Sequence, residues 1–178
     1  MLAPMKKLIC VAAVLALCMP VFAQTAPPLK MGLWETTSST ESAMLTYAKY
    51  QRLKAGTLKF PSIGNPEIAV FQSCVTAETW QKFYGAPKEI KECTVSNYKL
   101  DSSGMSLDTE CTVGGRAGIS SIRMNILSPE KIHDFRLSGL LPRPNTDAPS
   151  VFKQTTADWV YLGPDCKRMS PGESHRVR

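Results

Sequence analysis

The residues of this chain with the most chemical potential are six cysteines, two histidines and a scatter of acids. Cys93 and Cys111 close the two ends of a stretch that reads CTVSNYKL, then DSSG, then MSLDTEC. Met105, Leu107, Thr109, Cys111 and Val113 share one parity while Ser106, Asp108, Glu110 and Thr112 share the other, the period of a half-buried antiparallel strand. A three-residue loop of residues 101–103 would set Cys93 opposite Cys111, and a one-residue slip would put the sulfurs on opposite faces. These two cysteines therefore read as a staple that fixes register, and not as nucleophiles.

The remaining reactive residues do not assemble into a catalytic set. Acyl transfer needs a serine or cysteine beside a base that a third group orients, and the chain has no G-x-S-x-G. His133 and Asp134 are adjacent in a strand pattern, where neighbours point to opposite faces. Asp108 and Glu110 share a strand face and are of the residue types that cleave glycosides, but they lie opposite the core parity and read as solvated. Gly114-Gly115-Arg116-Ala117-Gly118 invites a phosphate-loop reading, yet it lacks the Lys-Ser/Thr pair and a following helix; it reads as a flexible connection. No cysteine pair has C-x-x-C spacing, and His133 and His175 lie far from any cysteine, so no metal or cofactor is expected. The sequence does not read as an enzyme.

Compartment follows from the first residues. Lys6 and Lys7 precede an apolar run from Leu8 to Leu17, and Val21-Phe22-Ala23 stands before Gln24, the pattern of a cleaved secretory signal over 1–23. A lipoprotein anchor at Cys18 is the competing reading, weakened by Leu17 just before it. Cleavage leaves 155 residues, and loss of the two lysines lowers the formal net charge from +6 to +4. Cys10 and Cys18 are lost too, leaving Cys74, Cys93, Cys111 and Cys166. An even set in an exported chain argues for two disulfides with three possible pairings. Locality favours Cys93 with Cys111, which leaves Cys74 with Cys166.

The elements that must position these residues are mostly strands. Met31 to Ser38 alternates around Trp34. Glu41 to Lys54 turns helical, with Met44, Leu45 and Ala48 on one side, Lys49, Arg52 and Lys54 on the other, and Gly56 as a stop. Its basic side reads as solvated rather than as a rest on anionic lipid. Ile68 to Val75 reads as a buried strand, and Thr76-Ala77-Glu78-Thr79 opens a short helix through Tyr84 with half a capping box. Gly85-Ala86-Pro87 ends that helix, and Lys88 to Glu92 leads into the stapled hairpin. Ile119 to Leu127 and Lys131 to Leu137 form a second hairpin. Leu140 to Pro149 is a Pro-rich loop, and Val151 to Leu162 a final strand with Trp159. Residues 167–178 read as a disordered basic tail. The fold class is mainly β, an antiparallel meander either open or closed as a small barrel, with two short helices. Residues 24–166 read as one domain, long enough for a core.

The ordered set Gly32-Leu33-Trp34-Glu35, Cys74-Val75-Thr76 opening a short helix, Cys93 and Cys111 flanking a hairpin, then Gly163 and Cys166, resembles the domain of unknown function 3617 family of exported Gram-negative proteins. The resemblance spans roughly Leu29 to Cys166 and implies a periplasmic, disulfide-bearing β-rich domain. The helical insert at Glu41–Lys54 and the basic tail depart from it. It transfers no catalytic residue, because the family has no assigned activity.

The function expected from all this is a non-catalytic periplasmic module that binds a small apolar ligand, lined by Trp34, Met105, Leu107 and Trp159 if they are not ordinary core. The rival is a protein-binding module, for example an inhibitor of an envelope or secreted hydrolase, offering loops or a sheet edge. An apolar cavity would favour the first, and an exposed apolar patch beside the Pro-rich loop the second. Nucleic acid is not an expected partner: +4 is modest and no basic stripe interleaves with aromatics.

Overall fold

The computed structural model describes residues 28–84 and 92–178. The signal segment, Cys18 and the Gly85-Ala86-Pro87 stop lie outside the described residues. Eight strands form one antiparallel sheet: β1 (Gly32–Leu45), β2 (Glu67–Val75), β3 (Cys93–Asp101), β4 (Gly104–Val113), β5 (Arg116–Ser128), β6 (Lys131–Leu140), β7 (Ser150–Gly163) and β8 (Ser174–Arg176). Helices α1 (Tyr47–Lys54) and α2 (Gln81–Tyr84) follow β1 and β2. The spatial order is β3-β4-β5-β6-β7-β1-β2-β8, so the sheet is open, with β3 and β8 at its edges. Of the two architectures the sequence allows, the open sheet is the one observed.

The stapled hairpin has the expected register for a different reason. Cys93 stands opposite Cys111, but Asp101 pairs with Gly104, so the loop is the two residues Ser102 and Ser103. A bulge between Ser96 and Lys99 sets two residues, Asn97 and Tyr98, against Leu107 alone and restores the register. Asn97 takes the positive φ of 52° there, which asparagine tolerates better than most residues. The turn needs Gly104 as well: its φ is +144°, and an added Cβ would lie 1.9 Å from the Met124 carbonyl oxygen.

Three further elements differ from expectation. Strand β1 continues through Leu45, where a helix is expected from Glu41, because Glu41 to Leu45 pair residue by residue with Gln154 to Ser150 of β7. Tertiary pairing overrides local helix propensity, and the helix starts only after Thr46, whose hydroxyl accepts from the Lys49 amide. The glycine run is not a flexible connection but a two-residue turn joining β4 to β5, with Val113 opposite Arg116 and Gly114 and Gly115 both at positive φ. Residues 167–178, expected to be a disordered tail, instead carry β8 along β2. The Cys74–Cys166 bridge anchors that segment, and Gly172, Glu173, Val177 and Arg178 exchange backbone hydrogen bonds with Cys74 and Val70.

The apolar side chains divide between the two faces. On one face Trp34, Met105, Met124, Ile132, Ala157 and Trp159 pack with Trp80 and with Phe83 of α2. On the other, Ala43, Leu45 and Phe152 pack with Tyr50 of α1, whose ring stacks on Phe152 at 5.4 Å. Strand alternation sends successive residues to opposite faces, so β1, β5, β6 and β7 feed both clusters.

Candidate functional site

A cavity of about 370 Å³ opens on the α2 face. Register explains its composition. Cross-strand pairing lines up Ser38, Ala157, Asp134, Met124 and Met105 in one row, and Thr40, Thr155, Arg136, Ile122 and Leu107 in the next. Asp134 thus sits between Ala157 and Met124, with no polar neighbour across either ladder. Arg136, two residues along the same strand and therefore on the same face, is its partner: Nε and Nη2 donate to Oδ2 at 2.9 and 2.7 Å. Asp134 is 1% exposed, and its Oδ1 has no hydrogen-bond partner among the described residues; the same holds for the buried Thr36 hydroxyl. Both residues line the cavity, with Phe71, Phe83, Trp159 and Lys82 among the others. Buried polar atoms are normally paired, so two unpaired oxygens beside one cavity mark it as a place where a hydrogen-bond donor belongs.

Helix α2 forms part of the wall. The turn before it is held by Thr79, whose hydroxyl accepts from the Thr76 amide at 3.0 Å. Thr79 therefore does the backward reach that a glutamate makes in a capping box. Phe83 meets Trp159 edge-on with centroids 6.4 Å apart. On the far side the C-terminal segment closes in: Ser174 lines the cavity and its hydroxyl accepts from Ser73 at 2.9 Å.

The sequence-derived candidates are distributed as follows. Of the four expected lining residues, Trp159 lines the cavity, Trp34 and Met105 belong to the core cluster, and Leu107 is buried. His133 lies on the opposite face from Asp134, where its Nδ1 meets Asp158 at 2.8 Å. Asp108 is bound by Asn97 at 2.8 Å and by Arg123 at 2.8 Å. Burial draws its pKa upward, but hydrogen bonds from Asn97, Ser121 and Arg123 outweigh that and hold the carboxyl below its ordinary value. Glu110 is exposed on the same strand. These acids line a separate groove of about 450 Å³ between α1 and β3–β6, with Tyr50 and Leu53. His175 pairs with Glu173 at 2.8 Å, while Ser174 faces the other way along β8, so the three do not converge. Among the described residues no group of three or more His, Cys, Asp or Glu is gathered as a metal would require. The cysteines pair as locality favours, Cys74 with Cys166 and Cys93 with Cys111.

The residue that sequence reasoning missed is Asp134 as a partner of Arg136. The signal is present: Ile132, Asp134 and Arg136 share one parity, and an acid two residues before an arginine on a core-facing strand is a same-face ion pair.

A family model described as a protein of unknown function (DUF3617) matches residues 29–166. The chain belongs to this family. No curated protein matches it. Among solved structures, the S-type phycobiliprotein lyase CPES from Guillardia theta is similar at 6% identity, over 76% of this chain and 90% of that one, with a TM-score of 0.31; at that score the likeness carries no inference. In this DUF3617 chain the residues of the Gly32-Leu33-Trp34-Glu35 and Cys74-Val75-Thr76 segments are structural. A Cβ on Gly32, which has φ +140°, would lie 2.2 Å from the Gly163 carbonyl oxygen, so β1 and β7 can approach only at glycine. Trp34 is fully buried, donates to the Lys30 carbonyl at 3.0 Å and packs edge-on to Tyr161 at 5.7 Å. Glu35 accepts from Gln72 across the β1–β2 pair at 3.1 Å.

Proposed function

We propose that this protein is an exported, periplasmic, non-catalytic module that binds a small, largely apolar ligand in the cavity on the α2 face. The observation that carries the reading is the pair of unpartnered buried oxygens, on Asp134 and Thr36, beside a cavity walled by Phe71, Phe83 and Trp159. The lining joins Phe71, Phe83, Ala157 and Trp159 to eight polar or charged residues, and the volume falls within the range of roughly 300–1,000 Å³ that small-molecule sites occupy. Export is supported by the N-terminal pattern of the sequence and by four cysteines joined in two disulfides. Among the described residues no helix is long and apolar enough to cross a membrane.

Native mass spectrometry of protein purified gently from the periplasm tests this. The expected result is a reproducible extra mass lost on denaturation, on a chain that begins at Gln24 and lacks four hydrogens. A chain that still carries its first 23 residues overturns the export reading. A clean apo mass counts against a tightly held ligand.

One observation favours the rival, a protein-binding module such as an inhibitor of an envelope or secreted hydrolase. Met44 and Val151 stand opposite each other in register, are 42% and 53% exposed, and sit with Leu140 and Pro149 beside the Pro-rich loop. Paired exposed apolar residues of this kind mark contact surfaces. Met44→Lys with Val151→Lys leaves ligand capture intact if the cavity is the functional site, and abolishes association with an envelope partner if the patch is.

A further inference from the structure

The polar end of the ligand can be read from the charges around the cavity. Among the described residues three charged side chains line it: Asp134, Arg136 and Lys82. Asp134 already takes two donors of Arg136 on one oxygen, which leaves the guanidinium Nη1 free to donate. Arg136 lines the cavity and keeps 46% of its side chain exposed. Lys82 makes no ion pair among the described residues; its ammonium lies along the C-terminal strap, 2.9 Å from where a Cβ on Gly172 would stand. The lining therefore carries one more positive than negative charge, and its single carboxylate is neutralised and buried. With Arg136 already paired to Asp134, a cationic head would meet one uncompensated like charge, the Lys82 ammonium. An anionic head would meet the open donor of Arg136, the Lys82 ammonium and the hydroxyls of Ser38, Ser73 and Thr155.

We infer that the cavity takes a compact amphiphile with an anionic head, the head held between Arg136 and Lys82 and the apolar body against Phe71, Phe83 and Trp159. This rests on the cavity being a ligand site. A hydroxyl or amide beside the head would satisfy the Thr36 and Asp134 oxygens. The volume of about 370 Å³ fits a bicyclic aromatic acid or a short alkyl acid.

The test uses three probes with one ring system and different heads: 1-naphthylacetate, 1-naphthylmethanol and 1-naphthylmethylammonium, titrated calorimetrically into the mature, disulfide-bonded protein. The acetate should bind at least tenfold more tightly than the ammonium, with the alcohol between, and the gap should narrow at high salt. Lys82→Gln, a change at an exposed position, should weaken the acetate about threefold to fivefold and leave the alcohol unchanged. Equal affinities for all three, or a preference for the ammonium, would overturn the anionic head while leaving the cavity a binding site. Binding of none of them, together with a clean apo mass from the periplasm, would overturn the head and the site together.

Discussion

Two neighbours on β6, His133 and Asp134, have opposite fates because a strand turns each successive side chain through half a revolution. His133 ends in an exposed pair with Asp158, and such pairs contribute about 0–1 kcal/mol. Asp134 ends buried, and removing its partner would leave a carboxylate without compensation. Arg136→Ala should therefore destabilise the fold by about 2–3 kcal/mol, somewhat below the cost of breaking a fully buried pair because Arg136 is half exposed. His133→Ala should change stability by no more than about 0.5 kcal/mol. Urea denaturation of both variants decides it; equal losses would contradict the burial argument. Acid stability turns on another carboxyl of the sheet. Asp108 has a folded pKa below its ordinary value, so its contribution is complete above the unfolded pKa, near 4. It is lost as pH falls through the lower folded value. Between pH 6 and pH 3 the unfolding free energy of Asp108→Asn should fall less than that of the wild type.

At the scale of the element, the hairpin β3–β4 shows how a correct register can rest on an incorrect turn. The alternating run from Met105 is legible because it has a wet face and a dry face. The bulge at Asn97-Tyr98 is not, because Asp101-Ser102-Ser103-Gly104 suits a two-residue loop as well as a three-residue one, and only the observed register tells them apart. The same limit applies to β1. Its second half has helical composition, and only the partner strand β7, more than a hundred residues away in sequence, holds it extended. The strand content and the Cys93–Cys111 pair are local and were readable, Cys74–Cys166 followed by elimination, and of the helix expected from Thr76 only Gln81–Tyr84 forms; the cavity was not readable, since Asp134, Thr36 and Phe71 meet only through register. Opening the 18-residue span between Cys93 and Cys111 should lower stability by up to about 3 kcal/mol on loop entropy. Cys93→Ala paired with Cys111→Ala, melted beside the wild type, measures it, and an unchanged melting temperature would remove the staple from the account. Gly104→Ala should be comparably damaging, because its Cβ would meet backbone rather than a side chain that can swing away.

At the scale of the whole molecule, an open sheet has two edges to protect, and the chain protects them differently. The β3 edge is irregular and largely exposed, broken by its bulge and carrying Lys99, both devices that discourage pairing with another chain. The β2 edge is regular, and without its cover it would present free amide and carbonyl groups from Val70 to Cys74. The C-terminal segment is that cover. It forms only three ladder pairs, too few to hold alone, and the Cys74–Cys166 bridge ties it down across a 92-residue separation. A chain ended after Cys166 keeps the bridge and loses β8, so any change it shows belongs to the strap and not to the disulfide. Such a protein should expose the amides of β2 to hydrogen exchange and should self-associate in a concentration-dependent way, read by light scattering after size exclusion. It should also exchange a naphthyl acid faster, because Ser174 and the backbone along Lys82 leave the cavity wall with the strap. A truncated chain that stays monomeric and protected along β2 would show that the strap is dispensable. The basic C-terminus would then be surface, as its composition implies.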